Sequence, residues 1–145
     1  MLKYLLLVAV LAVSGAAYAQ PINDIDEFQT SIDKCIKGVS TDTCLNKLLP
    51  PHFPPGNEEM LKTIPQVTSL LVKWLDGDKV YAVHPIKKTK VGDLYEQRIY
   101  VIEGDKGGLM VLDTSYIKLH GSLYLLKFNL SSTKETIDAL LKDKL

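Results

Sequence analysis

The chain has 145 residues, of which 46% are hydrophobic and 23% are charged, with 17 basic and 17 acidic side chains. This length fits one domain with a buried core, and the hydrophobic fraction excludes a disordered tail. The balanced charge argues against a nucleic-acid-binding protein, because neutralising phosphates requires a surplus of basic residues.

The start of the chain has the features of a secretion signal. Lys3 provides a positive charge, Leu5 to Val13 form an unbroken apolar run, and Ala17-Tyr18-Ala19 is a small-x-small cleavage pattern. The apolar run is too short to span a bilayer. We therefore expect a signal segment over residues 1–19 and a single exported domain over residues 20–145. The short signal indicates a bacterial protein that is periplasmic or secreted and has no transmembrane segment.

The first helix of the exported domain is predicted from Ile22 to Lys37, where apolar residues recur at helical spacing. Asn23 or Asp24 is positioned to cap its start. Gly38 follows the last turn, and we expect it to take the left-handed conformation that ends many helices.

Two cysteines flank the turn after this helix. Cys35 lies near the helix end, and Cys44 lies early in a second helix predicted from Thr41 or Asp42 to Leu49. A helical hairpin brings the two side chains together under oxidising conditions, so we expect a structural disulfide. The alternative is a redox pair, although the closely spaced CxxC motif is absent. Two cysteines alone do not complete a metal shell, so no metal site is expected.

The segment from Pro50 to Gly56 contains four prolines and predicts a stiff, irregular connector. The alternative is a polyproline ligand for an aromatic groove. A third helix is predicted from Asn57 to about Asp76. Pro65 lies inside this helix, and we expect a kink or break there because proline clashes with the preceding turn.

From Lys79 onward the apolar pattern changes from helical to alternating, which indicates strands. Hairpin-length connections with turn residues favour an antiparallel meander. Ser132-Thr133-Lys134-Glu135 is a capping box that predicts a final helix. The predicted fold class is α+β, with N-terminal helices packed on a curved four-stranded antiparallel meander and a C-terminal helix. The predicted strands are Val80–Ile86, Tyr95–Glu103, Leu109–Leu119 and Ser122–Leu130.

The final hairpin carries a family resemblance. Its first strand, beginning Gly108-Leu109-Met110-Val111-Leu112, is apolar, and a small turn precedes the aromatic-rich run from Gly121 to Phe128. This pattern resembles the closing strands of the NTF2-like (cystatin-like α+β) superfamily, and the resemblance covers about Asn57 to Leu130. It implies a sheet curled around a helix, with a cone-shaped cavity used for binding, dimerisation or catalysis. The terminal helix and the cysteine-bearing segment depart from that pattern, and the fold does not transfer an activity.

Strand alternation selects the candidate ligand-binding residues. Arg98 and Tyr100 share one face of the second strand, and Tyr124, Leu126 and Phe128 share one face of the last. We expect helices to bury the apolar face of the sheet. The mixed face either lines a ligand cavity or faces solvent, and in the first case Arg98, Tyr100 and Tyr124 are the ligand-binding residues.

Arg98 is the single arginine, in the middle of a strand. It is suited to clamp a carboxylate or phosphate at two points, and the alternative is a cross-strand ion pair with Asp113 or Glu103. The lysines between Lys87 and Lys90 are predicted to lie in a solvated hairpin loop.

The candidate for acid–base chemistry is His84, which is the histidine placed to face the sheet. A general base there needs a partner such as Glu96, Asp113 or Tyr116, and it needs an inward-pointing imidazole. The spacing does not assemble a catalytic set.

The favoured function is therefore a non-enzymatic domain, a monomer or homodimer, that uses no cofactor. Its partner is an unidentified small molecule or an exported protein. The alternatives are a small hydrolase or isomerase that uses His84 and an inhibitor or immunity-type protein.

Overall fold

A computed structural model describes residues 19–142, so the predicted signal segment lies outside the described residues apart from Ala19. Helices come first, then a four-stranded sheet, then one further helix, which confirms the predicted α+β class. The sheet is antiparallel with its strands in chain order. The elements are α1 (Ile25–Lys37), α2 (Thr41–Leu48), a 3₁₀ turn (Pro50–His52), α3 (Glu58–Leu75), β1 (Val80–Val91), β2 (Tyr95–Gly104), β3 (Leu109–Leu119), β4 (Ser122–Ser131) and α4 (Lys134–Lys142).

The ends of α1 differ in part from the prediction. Asp24 caps the helix, since its Oδ1 accepts a hydrogen bond from the Glu27 backbone N–H at 2.9 Å. The predicted start at Ile22 is wrong, because Ile22 forms an isolated β-bridge with Leu123 before the helix begins. Gly38 ends the helix, but its φ of −82° is extended and not left-handed.

The predicted disulfide between Cys35 and Cys44 is confirmed, with the two Cα atoms 5.3 Å apart. It joins the last turn of α1 to the first half of α2. Cys35 is buried and Cys44 is exposed, so the bond ties the helical hairpin at the edge of the core.

Helix α3 is continuous through Pro65, so of the predicted kink or break, the break is wrong. Pro65 has no backbone N–H to donate to the Leu61 carbonyl. Both residues are exposed, so water can donate to that carbonyl instead. On the buried side of the same helix, the Thr68 hydroxyl donates to Asn46 Oδ1 of α2 at 2.9 Å. Tertiary packing thus supports the helix beside its proline.

Strand β1 is longer than predicted, and the expected loop over Lys87 to Val91 is wrong. These residues pair with β2, with Lys88 opposite Arg98 and Lys90 opposite Glu96. As an edge strand, β1 pairs through backbone hydrogen bonds on one side only, and exposed lysines are common at such edges. An alternating apolar pattern is therefore not required of it.

The predicted faces of β4 change at a β-bulge. Leu125 lies opposite Tyr116 and Lys127 lies opposite Ser115, so Leu126 is the additional residue. As a result Leu125 and Phe128 lie on one face of the sheet, while Tyr124 lies on the other. The expectation that Tyr124 shares a face with Phe128 is wrong.

The core lies between α1–α3 and one face of the sheet, called here the covered face. It carries Glu96, Arg98, Tyr100 and Ile102 of β2, and their register partners on β3 are Tyr116, Thr114, Leu112 and Met110. The opposite or open face carries Tyr95, Gln97, Ile99, Val101 and Glu103, which are half-buried. Of the two alternatives for the Arg98 face, the one in which it faces solvent is therefore wrong, because α1 packs above it.

At the C-terminus, α4 contacts β3. Its first turn is capped by Thr133, whose Oγ1 accepts from the Thr136 N–H at 3.4 Å, one residue later than the predicted capping box. Among residues 19–142, none of the helices combines the length and apolarity needed to cross a bilayer.

Candidate functional site

The candidate site is built around the Arg98 guanidinium on the covered face, whose side chain is only 10% exposed. Its Nε donates to Glu96 Oε1 at 2.6 Å, and its Nη1 donates to Asp26 Oδ1 at 2.5 Å. Two carboxylates from different elements therefore hold one arginine. Burial opposes its charge, but these carboxylates outweigh that effect and raise the pKa of the guanidinium.

Glu96 is the inner of the two carboxylates, with a side chain 11% exposed. Besides Arg98, it faces the ammonium groups of Lys88 and Lys90 at 3.4 and 3.6 Å. Burial alone raises the pKa of Glu96, but the hydrogen bond and charge of Arg98, aided by Lys88, lower it overall. This pair satisfies the inner donor of the arginine.

Asp26 is the outer carboxylate, and its side chain is 79% exposed. It lies in the first turn of α1, two residues after the cap at Asp24. The hydrogen bond and charge of Arg98 lower the pKa of Asp26. Because Asp26 lies mostly in water, breaking this pair strands no buried carboxylate, and its contribution is about 1 kcal/mol. The outer donor of Arg98 is therefore held more weakly than the inner one.

A cleft of about 310 Å³ opens beside this outer donor. Three of its lining side chains are basic and one is acidic. Tyr100 is buried in the floor next to Arg98, and burial raises the pKa of its phenol, which therefore remains a neutral donor at neutral pH. The lining residues are Asp26, Pro85, Ile86, Lys87, Lys88, Arg98 and Tyr100.

Two buried polar atoms near this layer have no hydrogen-bond partner among residues 19–142: Gln29 Oε1 and the Tyr116 hydroxyl. Gln29 follows Asp26 by less than one turn of α1, and its Nε2 donates to Asp33 Oδ1 at 2.8 Å. Tyr116 lies directly opposite Glu96 in the sheet. The layer between α1 and the sheet thus has unused hydrogen-bonding capacity, which water or a ligand can satisfy.

His84 lies on the open face, and 49% of its side chain is exposed. Its Nε2 is 2.7 Å from Glu103 Oε2. The predicted inward orientation is therefore wrong, and its acidic neighbour is Glu103 instead of Glu96, Asp113 or Tyr116. In the part of the chain that the structure describes, no group of three His, Cys, Asp or Glu side chains could hold a metal ion.

The three predicted ligand-binding residues are not brought together. Arg98 and Tyr100 share the cleft, but Tyr124 lies across the sheet, opposite Ile117 on the open face. The predicted ion pairs of Arg98 with Asp113 or Glu103 are also wrong. Asp113 instead accepts from Lys127 Nζ at 2.6 Å on the open face.

Neither Asp26 nor Glu96 was predicted as a partner of Arg98. Glu96 had a local signal, because it lies two residues from Arg98 on the same strand face. Asp26 had none, since 72 positions of chain separate it from Arg98 and only the packing of α1 brings them together.

No protein-family model and no curated protein matches this sequence. Among solved structures, a crystal structure of a DUF4783 family protein from Bacteroides uniformis is similar to this chain, with a TM-score of 0.46 and 12% sequence identity. The similarity covers 77% of this chain and 99% of that one.

Proposed function

We propose that the chain is an exported, non-enzymatic binding domain that holds a small anion, a carboxylate or phosphate, at Arg98. The single observation that carries this proposal is the asymmetry of the guanidinium. Its inner donor is held by buried Glu96, and its outer donor is held by the exposed carboxylate of Asp26. The outer donor is therefore suited to bind a carboxylate or a similar anion.

The surroundings support an anion in place of Asp26. Lys87, Lys88 and Arg98 line the cleft against one carboxylate, so the cleft keeps a positive excess with Asp26 in place. Displacing Asp26 increases that excess and leaves its side chain in water, where it is already largely solvated. An arriving anion gains two-point contact with Arg98 and a hydrogen bond from Tyr100.

In this view Asp26 is a built-in competitor for the site. A ligand must first displace it, so the apparent affinity is reduced by the fraction of molecules in which Asp26 occupies Arg98. Replacing Asp26 by asparagine removes the competing charge. We expect this variant to bind anions more tightly, by up to about fivefold, which corresponds to an exposed ion pair of about 1 kcal/mol.

The test is isothermal titration calorimetry, in which the purified domain at low ionic strength is titrated with inorganic phosphate, succinate or the uncharged analogue succinamide. We expect phosphate or succinate to bind and succinamide not to bind. Asp26→Asn should tighten binding, and Arg98→Lys should weaken it at least about tenfold, because lysine cannot contact an anion at two points.

Tyrosine variants provide the matched control. Tyr100→Phe removes a hydroxyl beside Arg98, while Tyr124→Phe removes one from the opposite face. Weaker binding in the first variant alone is expected. Equal weakening by both, equal binding of succinamide, or no binding by the folded Asp26→Asn variant contradicts the proposal. Native mass spectrometry of the unreduced periplasmic protein would reveal a co-purifying ligand or partner and show whether the domain is a monomer or homodimer.

We further propose an NTF2-like architecture. The supporting features are N-terminal helices that precede an antiparallel meander and a cleft where α1 meets the sheet. An experimental structure in which the sheet does not curl around a helix contradicts this assignment.

A second candidate function is acid–base catalysis at the open face, and not in the inward orientation predicted from the sequence. The observation that favours it is the 2.7 Å contact between His84 and Glu103. It predicts that a hydrolase or isomerase activity, found by screening, is lost in His84→Gln and retained in Tyr100→Phe. An activity unaffected by His84→Gln contradicts it.

A further inference from the structure

The backbone of Gln20 is fixed at both of its polar groups. Its N–H donates to the Pro51 carbonyl at 2.7 Å, and its carbonyl accepts from His52 Nδ1 at 2.9 Å. Two residues later, the Ile22 N–H donates to the Leu123 carbonyl at 2.7 Å. The chain is therefore held against the body of the protein from the residue that directly follows the predicted cleavage position.

The surroundings of Gln20 are largely apolar. A cleft of about 850 Å³ is lined by Ala19, Gln20 and the segment from Pro50 to Leu61, including four prolines and Phe53. The side chain of Gln20 is exposed and free of the contacts that hold its backbone. In the uncleaved chain the Gln20 nitrogen is a neutral amide with one hydrogen, and Pro51 accepts that hydrogen.

We propose that Gln20 is a modification site, at which the new N-terminus cyclises to pyroglutamate after cleavage behind Ala19. This inference rests on the proposed export. The neutral α-amine of Gln20 attacks Cδ of its own side-chain amide, the new C–N bond closes a five-membered lactam, and the Cδ–Nε2 bond breaks. The nitrogen loses one proton to the departing group, which leaves as ammonia, so no oxidant or co-reactant is needed.

The contacts of Gln20 favour this product over a free terminus. A lactam nitrogen keeps one hydrogen for Pro51, and the carbonyl that His52 contacts is unchanged. A free ammonium adds two further donors in a cleft walled largely by proline rings, where Glu58 is the one carboxylate in the lining. Hydrogen bonding of the neutral amine to the Pro51 carbonyl leaves the nitrogen lone pair available for attack.

The first measurement is the intact mass of the unreduced mature protein from the periplasm, recorded before any digestion, since digestion itself can cyclise glutamine. We expect the mass of residues 20–145, with the disulfide formed, lowered by one ammonia. An amine-reactive label applied to the intact protein before digestion should then leave Gln20 unmodified.

Gln20→Ser is the control, because serine cannot form the lactam. It should show the full mass of residues 20–145 and a labelled α-amine. A wild-type chain that begins at Gln20 with a free amine overturns the cyclisation and leaves export intact. A chain that begins at another residue, or that keeps residues 1–19, overturns both the cleavage and the modification, so the two failures are distinguishable.

Discussion

The two faces of the sheet use similar chemistry in different surroundings. On the covered face, Arg98 is almost fully buried between Glu96 and Asp26. On the open face, Lys127 pairs with Asp113 while keeping nearly half of its side chain in water. A buried pair must offset the loss of water around both charges, whereas an exposed pair retains that water and contributes little. The same residue types therefore have different energetic roles on the two faces.

The largest expected difference comes from removing one cation on each face. Arg98→Met leaves Glu96 buried without its strongest partner, and we expect a loss of about 3–5 kcal/mol in the free energy of unfolding. Lys127→Met should cost less than about 1 kcal/mol. Urea denaturation measures both. Equal losses would show that the environments of the two faces do not differ as described.

Because Arg98→Met is expected to be severe, the double variant Arg98→Met/Glu96→Met provides a second measurement. It removes both charges and leaves no stranded carboxylate, so it should unfold at a higher urea concentration than Arg98→Met alone. A double variant less stable than the single one would contradict the assigned role of Glu96.

A matched pair of isoleucines compares the apolar packing of the two faces. Ile102 is fully buried on the covered face, and Ile99 is half-buried on the open face of the same strand. Ile102→Ala should lower stability by about 3 kcal/mol and Ile99→Ala by about 1 kcal/mol, because the first leaves a cavity in the core. Denaturation midpoints and slopes provide the measurement. A larger loss for Ile99 would indicate that the open face is covered in solution.

The lowered pKa of Glu96 predicts that the stability of the fold depends on pH. Its pKa in the folded state lies below the ordinary value of 4.5, so the group stabilises the fold above that pH. This contribution is lost as the pH falls through the lower folded value. Asp26, whose pKa Arg98 also lowers, acts in the same direction. Glu96→Gln should lower stability at pH 7 by about 1–3 kcal/mol, and the difference from the wild type should shrink in acid. A constant difference from pH 7 to pH 3 would contradict this assignment.

The smallest effect is expected at His84. Its contact with Glu103 lies on the open face with both side chains partly in water. His84→Gln should therefore change stability by less than about 1 kcal/mol near neutral pH. Thermal unfolding of this variant beside Glu96→Gln compares a polar contact on each face.

Much of the fold was predictable because its signals are local. The cap at Asp24 depends on a short polar side chain at the right place, and the turn at His120 and Gly121 depends on residues that tolerate positive φ, here 50° and 79°. The cysteine pairing followed from a short connection between two helices. Each of these features involves neighbours in sequence, where one or two residue types carry the preference.

The features that could not be predicted depend on distant parts of the chain. The pairing of Lys87 to Val91 depends on β2 as a template, and the continuity of α3 through Pro65 depends on packing against α2. The bulge at Leu126 reverses the faces of β4, since one inserted residue changes the alternation for all residues beyond it. Tyr124 was therefore placed on the wrong face.

Spacing and turn chemistry are local properties, and they were sufficient to predict an α+β chain with a disulfide, an antiparallel meander and one arginine in mid-strand. The cover of α1 over the arginine face and the contact of Asp26 with the outer donor arise only when the chain folds. The interaction energy of two charges depends on their distance and on the surrounding water, and not on their separation along the chain. Folding determines both, and it brings Arg98 into contact with Asp26 although 72 positions of chain separate them.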